Sequence, residues 1–557
     1  MQDYSTRNSA RNWNIWRWLP GGWQVTISAI AALVSAPVLF ILSNIFTSSG
    51  DIWGHLATTV LPLYIQNSLL LTAGVGIGVI TIGITTAWLV TACNFPGSRI
   101  FEWLLLLPLA APAYLLAYVY TDFLDFAGPV QTTLRHIFGW EYGEYWFPNI
   151  RSLGGAVTLM SLTLYPYVYL ICRVAFLEQS ACALEASRVL GCGPWRSFFA
   201  VALPLARPGL AAGTALALME TLNDFGTVQY FGVQTFTTGI YRTWFGMGEH
   251  TAATQLAACL LLFVLGLILI ERWSRRRAAY YQTTTRYDAV PTYQLQGIRL
   301  VGAWVACFLP VGLGFLLPAG LLLHMTIITG GNWGADSWIY ARNSLILAGL
   351  TAIIAAVVAV VMAYGLRLHP RADMRLGARV ASLGYAVPGS VIAVGIMVPV
   401  GNLDNAIDSS MRATFNISTG LLFSGTITAL VFAYLVRFLA VSFNTIEASL
   451  TKIEPSLDDA ARSLGHSSSS TLMKVHLPMM RGGVLTAAML VFVDVMKELP
   501  ATIVIRPFNF DTLAVRVYNL ASDERLAEAA GPALAIVLVG IIPVIVLSIK
   551  IAQSRRG

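Results

Sequence analysis

Apolar runs long enough to cross a bilayer recur along almost the whole chain. They lie near 25–47, 67–92, 101–121, 153–176, 209–230 and 252–271, and again near 299–328, 343–366, 379–400, 418–443, 484–504 and 532–551. One helical crossing takes about 20 apolar residues, so these runs predict twelve spans. Inside a bilayer every backbone polar group must be satisfied within the protein, and continuous runs of this length satisfy it as helices. The expected fold class is therefore an all-α polytopic membrane protein. Composition agrees: of 557 residues 56% are apolar and 11% charged, against roughly 45–50% and 25% in soluble domains. Soluble and disordered classes are excluded. The first run, preceded by Arg7, Arg11 and Arg17, is too long for a signal-peptide core and reads as a span.

The net charge of +7 is informative through its placement. The N-terminus, Arg99, the segment with Arg188, Arg196 and Arg207, the linker with Arg272, Arg275, Arg276, Arg277 and Arg286, and the stretch with Arg367, Arg371, Arg375 and Arg379 are basic. Segments holding Asp51, Asp122, Asp125, Glu141, Glu144, Asp336, Asp404 and Asp408 alternate with them. Basic loops face the cytoplasm, so both termini are expected inside and the acidic loops outside. A nucleic-acid partner is not implied. Lys452, Lys474, Lys497 and Lys550 are the only lysines and none follows a glycine, so the chain has no GxxxxGK[ST] phosphate loop. Any nucleotide energy must come from another polypeptide. The cysteines, Cys93, Cys172, Cys182, Cys192, Cys259 and Cys307, show no CxxC pairing and read as reduced, apolar packing residues.

The linker 272–298 separates two related halves. A shift of 274 positions superposes Ala186 on Ala460, Arg188 on Arg462, Gly191 on Gly465, Pro204 on Pro478, Arg207 on Arg481, Thr238 on Thr512 and Arg242 on Arg516. Asn67-Ser68-Leu69 matches Asn343-Ser344-Leu345 at a shift of 276. The expected organisation is a cytoplasmic N-terminus (1–24), a first half (25–271), the linker, and a second half (299–552). Six spans per half put both halves in the same orientation, a parallel repeat, and a pathway between them is the natural site.

The repeat is sharpest in two basic segments, about 178–208 and 452–482. The first reads Glu185-Ala186-Ser187, three residues, Gly191, nine residues, Val201, one residue, Leu203-Pro204; the second reads Asp459-Ala460-Ala461, then Gly465, Val475 and Leu477-Pro478 at the same spacings. Leu457, Ala460, Ala461 and Leu464 fall at helical spacing, and Gly465 supplies the left-handed turn that ends the helix. This pattern resembles the EAA loop of the membrane subunits of bacterial ABC importers, with a serine for one alanine in the first copy and an aspartate for the glutamate in the second. By that resemblance Glu185, Ala186, Gly191, Asp459, Ala460 and Gly465 form coupling segments that dock on a nucleotide-binding subunit. The segments Met219–Val233 and Phe236–Trp244, with Val495–Thr502 and Arg506–Ala514, look like the region around spans five and eleven in ferric-iron importer permeases with fused halves; thiamine importer permeases share the plan. The resemblance implies the type I ABC importer permease fold, a complex with two ATPase subunits and a periplasmic substrate-binding protein, and placement in the bacterial inner membrane. It implies no cofactor in this chain, with ATP used by the partner.

Charges inside spans are costly and mark function or pairing. Glu220 and Asp224 lie four apart in span five, and Asp494 and Glu498 occupy the matching positions in span eleven. One reading lines a pathway with four carboxylates, hard ligands that suit a hard cation such as Fe3+. The other is structural: Lys497 and Glu498 pair with neighbouring helices and Asn223 satisfies Asp224, or the groups reach water. Arg242 and Arg516, among Phe236, Tyr241, Trp244, Phe508, Phe510 and Tyr518, are interfacial anchors or, by resemblance, an outer gate. Pro108, Pro112 and Pro388 are expected as packing kinks. Two further classes compete: an ion-coupled secondary transporter using the same carboxylates, for which the repeated basic loop has no use, and a membrane enzyme, for which the sequence holds no HExxH or GxSxG.

Overall fold

The computed structural model describes residues 22–47, 51–141, 144–178, 187, 189–191, 193–276, 293–328 and 337–554. The described residues are helical almost throughout. The long helices are α1 (Gly22–Ser43), α2 (Leu61–Ala92), α3 (Ala113–Leu124), α4 (Leu153–Glu178), α5 (Leu203–Asn223) and α6 (His250–Arg276) in the first half. In the second half they are α7 (Ile298–Ile328), α8 (Ser337–Leu368), α9 (Gly389–Phe415), α10 (Ile427–Leu450), α11 (Arg481–Met496) and α12 (Leu526–Ser554). Among the described residues ten helices are long and apolar enough to cross a membrane, and two pairs, bent by 89° and 78°, raise the number to twelve if each pair is one span.

The bends correct the expected boundaries. The run 101–121 is broken where Pro112 caps α3, and the run 379–400 is broken where Pro388 caps α9. A proline has no N–H to donate and clashes with the preceding turn, so it starts a helix more readily than it continues one. These prolines are helix starts, related by the repeat, and not kinks inside continuous spans. The runs 209–230 and 484–504 also divide: α5 and α11 stop at Asn223 and Met496, and short helices follow at Gly226–Tyr230 and Pro500–Ile505. The tenth span begins at Ile427, not near 418, because Thr426 caps it after a loop.

The halves are crossed over. α1 packs on helix Ala372–Ala381, α9 and α10 of the second half, and Gln24 bonds to Asp373. α7 packs on the first half, where Trp304 Nε1 donates to the Pro96 carbonyl (3.0 Å) and its ring meets Phe101 edge-on. A two-residue parallel pairing of Cys93–Asn94 with Tyr293–Gln294 ties the end of the linker back to the first half. The matched Asn-Ser-Leu triplets do the same work twice: Asn67 donates to the Gln234 carbonyl (2.8 Å) and Asn343 to that of Asp511 (3.1 Å). Cys93, Cys172 and Cys307 are buried and unbridged, while Cys182 and Cys192 lie outside the described residues.

Candidate functional site: a carboxylate cavity between the halves

The four carboxylates sit where α5 and α11 break. Each break exposes the backbone N–H groups of the short helix that follows, and one carboxylate in each half accepts them, as an N-terminal cap does. Asp224 accepts from Thr227 N (2.9 Å), Val228 N (3.3 Å) and Thr227 Oγ1 (3.0 Å). At the repeat-related position Glu498 accepts from Ala501 N (2.9 Å), Thr502 N (3.0 Å) and Thr502 Oγ1 (2.6 Å).

Glu498 also takes a hydrogen bond from Arg437 Nη1 of α10 at 3.0 Å. The other arm of Arg437 reaches toward Glu220 Oε2 of the first half, 3.8 Å away. One arginine therefore faces a carboxylate of each half. The pair needs a bare backbone beneath it: a Cβ on Gly389 would lie 2.6 Å from Arg437 Nη1 and 2.7 Å from Glu498 Oε1. The Gly389 N–H donates to Asn223 Oδ1 (2.6 Å), which ties α9 to the end of α5. Lys497 Nζ pairs with Asp494 Oδ1 on its own helix (2.9 Å).

Of the structural expectations, the pairing of Glu498 with a neighbouring helix holds. Two others are corrected. Lys497 reaches back along α11, because a spacing of three already places Asp494 beside it. Asn223 serves Gly389 and not Asp224, whose acceptors are filled by its own short helix.

A cavity of about 120 Å³ lies between the halves, lined by all four carboxylates with Arg437 and Lys497, and walled by Tyr167, Tyr385, Pro108 and Pro112. Asp224 and Glu498 are held by backbone donors. Glu220 and Asp494 each face a cation on one side and keep 24% and 21% of their side-chain surface open. Four carboxylates against two cations leave a net negative chamber, which favours a cation without the close ligand set of a metal site. The cations belong to the second half alone: Thr163 and Asn223 stand at the matching positions of the first. Sequence reasoning missed Arg437. Its signal was available, an arginine inside an apolar run, and the same rule would have found Arg173, buried in α4 and paired with Glu102 at 2.7 Å.

At one end of the bundle lie the basic segments. Ser456–Ser463 is a short helix, and Gly465 (φ +81°) closes it with bonds from Gly465 N to Arg462 O and from His466 N to Ala461 O, both 3.0 Å. This is the expected left-handed turn, and Gly191 (φ +79°) adopts the same conformation. Glu185 and Ala186 lie outside the described residues. The helix does not bury all four spaced positions: Ala461 is buried and Leu457 partly so, but Asp459, Ala460 and Leu464 face outward. Leu464 and its repeat partner Leu190 are 78% and 82% exposed. A hydrogen-bonded cluster holds the helix in place. Arg367 of α8 donates to Asp458 Oδ2 (2.9 Å) and to the carbonyls of Leu450, Ile453 and Glu454. His476 Nε2, fully buried, lies 2.6 Å from Asp458 Oδ1. Burial pushes the Asp458 carboxyl up, but the bonds from Arg367 and His476 outweigh it and hold the carboxyl below the usual range.

At the other end Arg516 lies over the Tyr340 ring (5.4 Å) and Arg242 is exposed beside Tyr64. Phe225 packs against Tyr241 (4.7 Å) and Tyr518 (5.8 Å), so aromatics of both halves meet beneath these arginines. The acidic loop offers less free charge than its sequence does, because Asp404 and Asp408 accept backbone N–H groups of residues 419–424 and Asp408 pairs with Arg412.

The profile of the family described as "binding-protein-dependent transport system inner membrane component" matches residues 79–280 and again 355–554. The Fe(3+)-transport system permease protein FbpB 2 of Haemophilus influenzae is 25% identical over 492 residues, covering 87% of this chain and 89% of that protein. The ferric transport system permease protein FbpB of Actinobacillus pleuropneumoniae is 23% identical over 86% of this chain and 70% of its own length. The molybdenum transport system permease protein ModB of Escherichia coli is 30% identical over 208 residues, 35% of this chain and 87% of that protein. With two matches that together span most of its length, the chain belongs to the family of inner membrane components of binding-protein-dependent transport systems.

Proposed function

We propose that this chain is a two-half permease of an ABC importer for ferric iron. The observation that carries the substrate reading is the net negative cavity between the halves, walled by repeat-related carboxylates on broken spans. Iron is cargo here, met by Glu220 and Asp494, which keep open surface, and released readily because Arg437 and Lys497 compete for the same oxygens. The ferric permeases among the relatives support that cargo. The molybdenum relative raises an oxyanion, which four carboxylates against two cations disfavour. Two ATPase subunits dock at the two coupling segments and hydrolyse ATP there; a periplasmic binding protein delivers iron at the opposite end, where Arg242 and Arg516 gate entry. Both termini then lie in the cytoplasm.

The test is the complex reconstituted in proteoliposomes with its ATPase and binding protein. Iron-loaded binding protein stimulates ATP hydrolysis, and Glu220→Gln with Asp494→Asn lowers iron uptake by about tenfold or more, as expected when an ionic contact in a low-dielectric chamber is lost. Stimulation by thiamine or molybdate in place of iron, or unchanged iron uptake in the double variant, overturns the substrate reading.

The docking reading rests on a different observation, the exposed Leu190 and Leu464 at the two coupling segments. Large apolar side chains left open at matching places mark a contact surface. Leu190→Asp with Leu464→Asp is expected to abolish recovery of the ATPase in a detergent pull-down while the permease itself purifies normally. Full recovery of the ATPase would refute docking at these segments.

A further inference from the structure

A second, larger cavity of about 530 Å³ opens at the coupling end of the bundle, away from the carboxylate chamber. Its rim is cationic. Arg272 comes from the end of α6 in the first half, and Arg375 and Arg379 lie one turn apart on helix Ala372–Ala381 of the second. Among the described residues none of these three side chains has a hydrogen-bond or ion-pair partner, whereas Arg367, also on the wall, is engaged by Asp458 and backbone carbonyls. Among the described residues Glu447 is the one carboxylate on the lining. Deeper in, the wall is apolar, formed by Ala363, Leu366 and Phe443 of α8 and α10. Helix Ala372–Ala381 itself is amphipathic: Met374 and Ala378 are buried, while Leu376 is 63% exposed between the two arginines.

Three converging guanidinium groups without partners are a site for an oxyanion, since the planar fork of arginine matches phosphate oxygens two at a time. The apolar interior, and the exposed leucine beside the cations, add a requirement that an inorganic ion does not have. A basic pocket between membrane helices, apolar below its rim, fits the head group and upper chain of an anionic phospholipid. Helix Ala372–Ala381 packs its buried side on α1 and leaves Arg375, Leu376 and Arg379 exposed, an apolar side chain between two cations that suits contact with a lipid head group and its upper chain.

We propose that Arg272, Arg375 and Arg379 form a phosphate-binding site occupied by an anionic phospholipid, bridging the first half through α6 and the second through helix Ala372–Ala381. Both halves contribute a cation, so the lipid joins them at the rim where the coupling segments attach. The site stands whatever the cargo of the transporter is.

The test is native mass spectrometry of the full-length chain in neutral detergent, titrated with dioleoylphosphatidylglycerol, dioleoylphosphatidylcholine or inorganic phosphate. Phosphatidylglycerol adducts are expected to survive activation that strips phosphatidylcholine, and Arg375→Gln with Arg379→Gln to weaken them about tenfold or more, the loss of two cations close to a phosphate. If inorganic phosphate displaces phosphatidylglycerol and is itself lost in the variant, the site takes phosphate and the lipid source is overturned. Equal retention of the two lipids, or unchanged binding in the variant, overturns the site altogether. A loss of ATPase recovery in the variant with lipid and phosphate binding intact has the same consequence, because it makes the rim a protein contact. Should the double variant fail to purify as a single species, Arg272→Gln on the other half tests the same site, and wild-type phosphatidylglycerol binding in that protein rules it out.

Discussion

Arg437→Met is expected to destabilise the protein by about 3–5 kcal/mol, the cost of leaving one member of a buried ion pair without the other. Glu498 keeps only 2% of its side-chain surface exposed. Its bonds from Ala501, Thr502 and the Thr502 hydroxyl satisfy its oxygens but do not neutralise its charge. Methionine matches the length of the arginine stem, so the variant removes the cation with little change in packing. A lowered melting temperature in detergent, at unchanged helix content, is the readout. Adding Glu498→Gln to Arg437→Met should recover most of the loss, because removing both charges relieves the burial cost that removing one creates. A single variant that melts like the wild type would show that the pair does not stabilise the fold.

Asp458→Ala is the second large effect. It takes the acceptor from both Arg367 and His476 and frees helix Ser456–Ser463 from α8 and from the segment ahead of α11. Each bond involves a charged group, so about 2–3 kcal/mol of local stability is expected to go. On the proposed docking role, transport should fall much further than fold stability, because the spans keep their packing while helix Ser456–Ser463 loses its anchor. Hydrogen exchange across residues 456–464 is the measurement: faster exchange there, with α8 and α10 unchanged, is the expected pattern, and no change would remove the anchor from the account. The first half has Thr91, Leu184 and Ala202 at the positions of Arg367, Asp458 and His476, so no such triad exists there to lose. The pH dependence has a definite sign. A carboxyl held below its ordinary 3.8 contributes fully above that value and loses its contribution only as pH falls through the lower, folded-state value. The Asp458 carboxyl therefore adds no pH sensitivity of its own near neutrality.

What could be read in the sequence was what is locally determined. The turn at Gly465 was legible because a left-handed residue after a short helix needs a glycine whatever surrounds it. Glu220, Asp224, Asp494 and Glu498 were legible because charge in an apolar run stands out. The break after Asn223 was not, since the apolar run continues through Phe225 and Val228, and periodicity does not separate one long helix from a long and a short one; a tertiary contact, the Asn223 side chain on the Gly389 N–H, holds that end. The break after Met496 did carry a local signal, Pro500 at the start of the short helix. The outward turn of Ala460 and Leu464 follows from which side of the helix Arg367 and His476 hold, and neither residue belongs to the repeated pattern. Arg437 is different: its signal was in the sequence, in the same class as the four carboxylates.

The crossed packing of α1 also fixes the timetable of synthesis. Gln24 and Asp373, which bond in the folded protein, are separated by 349 positions. At about 5–20 residues per second a ribosome takes roughly 20–70 s to make the segment on which α1 packs. For that interval the second-half helices on which α1 mainly packs have not been made. Its sequence suits the wait: Gly22–Ser43 carries no ionisable residue, so lipid can solvate it on every side until the second half arrives.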